Sequence, residues 1–123
     1  MKNIQKELAN IRAKNFTPLY LVLGDERYFL ERIREELVKN ALDEESIDMN
    51  LASFDMKEQS ISDALFEASS FPFFGERKLV FVQNPFFLTG QKPKGVPDHS
   101  LEELEAYLEN PADFSILVFF TPY

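Results

Sequence analysis

Three observations predict an α/β domain built on a mainly parallel sheet. Apolar runs of strand length alternate with amphipathic helical segments. The runs are apolar at consecutive positions, as expected for strands covered on both faces, and the first ends in a glycine turn leading straight into a helix. Right-handed crossovers follow from that alternation. A chain of 123 residues fits one domain, with 45% hydrophobic residues and 13 phenylalanines to fill its core.

Taken in order, Met1 to Asn15 carries Ile4, Leu8 and Ile11 at helical spacing, and Pro18 closes the segment. Leu19 to Leu23 is the first strand, ending at Gly24. Phe29, Leu30, Ile33, Leu37, Val38 and Leu42 then share one helix face. The acidic stretch Asp43 to Asp48 breaks that pattern, and Asn50 to Phe54 reads as a shorter, more polar strand toward a sheet edge. Ser60 followed by Asp63 marks an N-cap, with Ile61, Ala64, Leu65 and Ala68 continuing the helix. Lys78 to Val82 is the third strand. Pro85 to His99, rich in proline and glycine, is expected to be an irregular, mobile surface loop. Ser100 with Glu103 caps a last helix through Leu101, Leu104 and Leu108, and Ser115 to Thr121 is the fourth strand. The first, third and fourth strands are expected at the sheet's centre.

Composition removes several function classes. Without cysteine there is neither disulfide nor thiolate chemistry, no apolar run reaches membrane-spanning length, and the N-terminus lacks a signal peptide's apolar stretch, so a cytoplasmic protein is expected. A net charge of -8 and a pI near 4.6 argue against an extended phosphate-binding surface, so this segment alone is expected to bind nucleic acid poorly. His99 is the only histidine, and the acid pairs Glu35-Glu36, Glu44-Glu45 and Glu102-Glu103 read as solvated helix faces. No catalytic or metal site is therefore expected.

Strand, Gly24 and helix occupy the places of a phosphate-binding loop, but the chemistry is missing. Counting from Gly24, the positions of the second glycine, the lysine and the hydroxyl hold Phe29, Leu30 and Glu31. Phe29 blocks close backbone approach, Leu30 supplies no cation, and Glu31 is no Mg²⁺-binding hydroxyl. Asp25 and Glu26 place negative charge where phosphate would sit. The third strand runs into Gln83-Asn84, where a nucleotide hydrolase carries a metal-holding acid. Gly24 thus reads as a plain strand-to-helix turn, with no cofactor.

Ser69 to Asn84 joins two halves with opposite demands: an apolar strand from Leu79, and before it Phe71, Phe73 and Phe74 among turn residues. Pro72 prevents a helix from running through, and Gly75 permits a sharp reversal, so the aromatics lie on a bend. Buried, they would anchor a connection; projecting, they would form an apolar partner site.

Leu19 to Glu26, then Ala68 to Asn84 with Phe73-Phe74-Gly75-Glu76-Arg77-Lys78-Leu79-Val80 at its centre, then Leu104 to Pro111 ahead of Ile116 to Phe120, together resemble the N-terminal domain of the bacterial DNA polymerase III delta subunit family. The resemblance spans nearly the whole chain, and the aromatic-Phe-Gly-Glu-Arg-Lys signature is its most specific part. It implies a three-layer RecA-like, AAA+ P-loop-type fold with a degenerate phosphate loop at Gly24, in a clamp-loader subunit that does not itself hydrolyse ATP. The parent protein would be a subunit of the DNA polymerase III holoenzyme, a DNA-directed DNA polymerase.

The family's role is to bind and open the sliding clamp (beta subunit) during DNA replication, by inserting an apolar pair at the end of a helix into a hydrophobic clamp pocket. The pair matches Phe73 and Phe74, where the family often has Leu-Phe, with Phe71 as a further candidate. Residues 1–123 would be a single clamp-binding domain, without the helical middle domain and the C-terminal collar domain that joins the other loader subunits. The end at Tyr123, directly after a buried strand, suits such a fragment. DNA binding would belong to the loader complex. The competing expectations are a divergent P-loop nucleotide-binding enzyme or switch, and a domain that self-associates through the bend.

Overall fold

A computed structural model describes residues 2–24, 26–72, 77–90 and 94–121. The helices are α1 (Lys2–Arg12), α2 (Arg27–Ala41), α3 (Ile47–Asn50), α4 (Ile61–Ser69) and α5 (Leu101–Glu109), and the strands are β1 (Leu19–Leu23), β2 (Leu51–Asp55), β3 (Lys78–Gln83) and β4 (Ser115–Thr121). The strands form one parallel sheet in the order β1-β4-β3-β2.

Alternation along the two central strands divides the core in two. Leu79, Phe81, Ile116, Val118 and Phe120 pack with Leu8 and Ile11 of α1 and with Ile33 and Leu37 of α2. Val80, Val82, Leu117 and Phe119 point the other way, onto Ile61, Leu65 and Ala68 of α4 and Leu104 and Tyr107 of α5. The result is a three-layer α/β/α domain, the RecA-like arrangement. The crossover through α2 runs the full width of the sheet on one face, whereas α4 and α5 bring the chain back on the other. Direction and face reverse together, so all three crossovers share one hand. At the top of the first core, the Arg34 guanidinium lies 5.0 Å and 4.8 Å from the rings of Phe81 and Phe120, which themselves meet edge to face at 5.3 Å.

Four expectations are corrected. Among the described residues β1 pairs only with β4, at an edge of this sheet, and Leu21 and Leu23 are 53% and 68% exposed while Leu19 alone on that face of the strand reaches the second core. Asn50 belongs to the short helix α3, and the strand runs from Leu51 to Asp55. The stretch after β3 is partly ordered: Phe86–Thr89 forms a 3-10 turn with Phe86 buried, and His99 accepts from the Ile61 N–H at Nδ1 (2.9 Å) while Nε2 reaches the Met56 carbonyl (3.0 Å). That geometry assigns the proton to Nε2, and the ring ties the loop to the start of α4. Finally, Glu36 is not solvated: it is buried between α1 and α2, accepting from Arg12 Nε at 2.9 Å.

The position of β1 alters the expected exchange pattern. Amides of Leu79–Val82 and Ile116–Phe120, paired on both sides, should exchange most slowly, and those of Leu19–Leu23 and Leu51–Asp55 faster. Protection of Leu19–Leu23 equal to that of β4 would contradict the edge assignment. The Arg12 hydrogen bond, outweighing burial, holds the Glu36 carboxyl below its usual range. A depressed folded value means the ion pair stabilises the fold above the ordinary carboxylate range and ceases to do so as pH falls through the lowered value. Because Arg12 is half exposed, the contribution is about 1 kcal/mol. Glu36→Gln should therefore lose about that much at neutral pH, and the gap to the parent chain should close in acid unfolding experiments.

Candidate functional site

The sheet has two ends, separated along β3 by about 20 Å, and the sequence singles out residues at both. At the C-terminal ends of the strands, Gly24 has φ +105°, a conformation that disfavours side chains even though an added Cβ would meet nothing within 4 Å. Its N–H donates to the Thr121 carbonyl (2.8 Å), while Thr121 Oγ1 donates to the Val22 carbonyl (3.2 Å), fastening the turn to β4. Helix α2 starts at Arg27, so only residues 25 and 26 separate it from Gly24, and Asp25 lies outside the described residues. Phe29 and Leu30 are already helical and half-buried, Leu30 against the first core, while Glu26 and Glu31 are exposed.

At the end of β3, Asn84 sits at φ +53° with its Nδ2 donating to Asp55 Oδ1 (3.0 Å), which also accepts from the Lys57 N–H (2.9 Å). That amide-carboxylate contact closes the turn. A cleft of about 730 Å³ runs beside β1 and Gly24, lined by Ile11, Tyr20, Leu21, Leu23 and Phe29 together with Glu7 and Glu26, with no Lys or Arg among the described residues of its lining. Apolar walls with two acids do not suit a phosphate chain.

At the opposite end lies the aromatic bend. Ser60 caps α4, accepting from the Asp63 N–H (3.4 Å). The helix stops at Ser69: Ser70 is already extended at φ -86° and ψ 137°, and Pro72 disfavours helical geometry at Phe71. Ser70 donates through N–H to the Glu67 carbonyl (3.2 Å) and through Oγ to the Phe66 carbonyl (2.8 Å). Phe66 and Phe71 are 75% and 82% exposed, and the Phe71 ring rests on Phe114 at 5.0 Å. Phe73 and Phe74 lie outside the described residues, as do Gly75 and Glu76. The chain returns at Arg77, whose guanidinium lies 4.8 Å from the Phe16 ring, and at Lys78, which enters β3 buried and paired with Glu67. That pairing was not foreseeable from spacing, since the partners are eleven positions apart on different elements.

Comparison with known proteins agrees with this geometry. The family model described as DNA polymerase III, delta subunit, matches residues 20–122. The chain is 40% identical over 106 residues to the DNA polymerase III subunit delta of Bacillus subtilis, covering 86% of this chain and 30% of that protein. A solved structure of the Bacillus subtilis DNA clamp loader delta protein superposes with a TM-score of 0.91 at 35% identity, over 98% of this chain and 35% of the other. The chain thus spans about a third of the length of these relatives. A gamma subunit-related DNA polymerase III protein from Thermotoga maritima matches at a TM-score of 0.55 and 14% identity, over 96% of this chain and 38% of that one, a likeness of fold. Matched over nearly all its length by family model, sequence and structure alike, the chain belongs to the DNA polymerase III delta subunit family.

Proposed function

We propose that this domain binds and opens the sliding clamp during DNA replication, inserting Phe73 and Phe74 into an apolar clamp pocket, and that it has no catalytic activity of its own. The observation that supports this most is the aromatic surface at the end of α4. Phe66 and Phe71 stand exposed beside the bend that carries the Phe pair, in a chain of the delta family. Phe71 flanks the contact. Two phenylalanines entering one pocket provide about 3 to 6 kcal/mol before association costs. Opening the ring requires tighter binding to the open clamp than to the closed one, because a ligand shifts an equilibrium only by its differential affinity. The domain works in the cytoplasm, and the other loader subunits join through parts of the longer protein outside this chain. The Gly24 turn binds no nucleotide, which leaves ATP hydrolysis to partner subunits.

Two measurements follow. Calorimetric titration with ATP and Mg²⁺ should show no saturable heat; micromolar binding would favour a nucleotide switch instead. Phe73→Ala and Phe74→Ala should each weaken clamp binding by about 2 to 4 kcal/mol, mostly through faster dissociation, while changing stability by about 0.5 kcal/mol or less. Phe81→Ala is the control. Its ring is buried in β3, so truncation should cost about 3 to 5 kcal/mol of folding stability. If the two bend variants unfold as readily as Phe81→Ala, the rings are core and the docking assignment is wrong.

A further inference from the structure

Lys78 is the first residue of β3 and only 5% exposed. Lysine is almost never buried unless paired, and this one is paired twice to a single residue. Its Nζ donates to the Glu67 carboxylate and, at 3.3 Å, to the Glu67 backbone carbonyl. That carbonyl belongs to the last turn of α4, where a cation complements the helix dipole and adds a second donor to a carbonyl that also accepts from the Ser70 N–H. The end of α4 is thereby pinned to the start of β3, and the residues between are the bend.

From the geometry we infer that Glu67 and Lys78 form a brace whose role is positional: it fixes the separation and direction of the two chain ends that carry the aromatic bend. This rests on the reading that the bend docks on the sliding clamp. Other fastenings at the same place point the same way. The Glu67 carbonyl also accepts from the Ser70 N–H (3.2 Å), Ser115 Oγ donates to the Ala68 carbonyl, and the Lys78 N–H donates to the Phe114 carbonyl (2.8 Å). Arg77 lies on Phe16 on the opposite face, and Phe71 on Phe114.

Stability alone does not explain a buried ammonium here. Lys78 follows the same inward alternation as Val80 and Val82, toward α4, where an apolar side chain would fit the core. Desolvating the buried ammonium costs much of what its pairing with the partly exposed Glu67 carboxylate returns, so the pair gains little over an apolar side chain of similar shape. What it adds is direction, because charge-assisted hydrogen bonds fix one element against the other. A bend with fixed ends loses less freedom when its rings enter a pocket, which favours binding without adding any contact.

The test is the double variant Lys78→Met with Glu67→Gln, made in the full chain, which removes both charges and orphans neither. Its thermal midpoint should stay within about 5 °C of the parent chain. Amides of Ser70, Phe71, Arg77 and Lys78 should exchange about tenfold faster while those of Val80–Val82 stay unchanged. Affinity for purified Bacillus subtilis sliding clamp should fall about tenfold. Unchanged exchange at those four amides overturns the inference, as does equal acceleration throughout β3, which would make the pair an ordinary part of the core. Unchanged clamp affinity, with Phe73→Ala still weakening it, overturns the positional role while sparing the docking reading. If neither Phe73→Ala nor Phe74→Ala affects binding, it is the docking reading that fails, and exchange measured without the clamp still decides whether the pair braces the bend. Lys78→Met alone, which removes the buried ammonium and leaves the carboxylate of Glu67 a third exposed to solvent, gives the same comparison should the double variant not fold.

Discussion

The parallel pairing of β3 with β4, from Lys78 opposite Ser115 to Gln83 opposite Phe120, is the constraint on which the other contacts depend. Both strands are covered on both faces, so each residue commits to one of two cores, and each core holds its own pair of major helices. Slipping β3 by one residue against β4 would exchange Phe81 with Val80 and Val82, sending a ring packed on the α1 and α2 side toward the small residues Ala64 and Ala68 of α4. Helix placement and the point where β3 begins follow from that register, and the β1–β4 pairing then sets the height of the Gly24 turn through Thr121.

The two ends of the sheet have been put to different uses. At the C-terminal end, the place where an α/β fold of this topology ordinarily receives a ligand, polar groups are spent on one another: Gly24 on Thr121, Asn84 on Asp55. At the N-terminal end, aromatic rings are left uncovered and the ionic and hydrogen-bonding groups are spent on holding the backbone beneath them. The two ends thus differ in what their polar groups hold: turns after the strands at one, the start of β3 and the end of α4 at the other.

Strands covered on both faces leave an uninterrupted apolar run, which is why β3 and β4 were legible in the sequence. Leu19–Leu23 has the same appearance, yet lies at an edge with Leu21 and Leu23 exposed; periodicity reports what a strand is suited to pack against, and cannot report whether the neighbour is there. The Gly24 turn was legible because that pattern is local. The Glu67–Lys78 pair and the His99 bridge to Ile61 and Met56 were not, because their partners come together only once α4 has packed. Phe73 and Phe74 stood out through composition and through resemblance to a family, and they lie outside the described residues.

The direct entry of the bend into β3 has a mechanical consequence. A force on the bend reaches the domain along the axis of a strand flanked on one side by β4 and on the other by β2. The hydrogen bonds of these parallel ladders are evenly spaced and slanted across that axis, so a pull along the strand loads them together in shear. A pull at this point loads two ladders at once, whereas the same pull on β1 would load, among the described residues, only its pairing with β4.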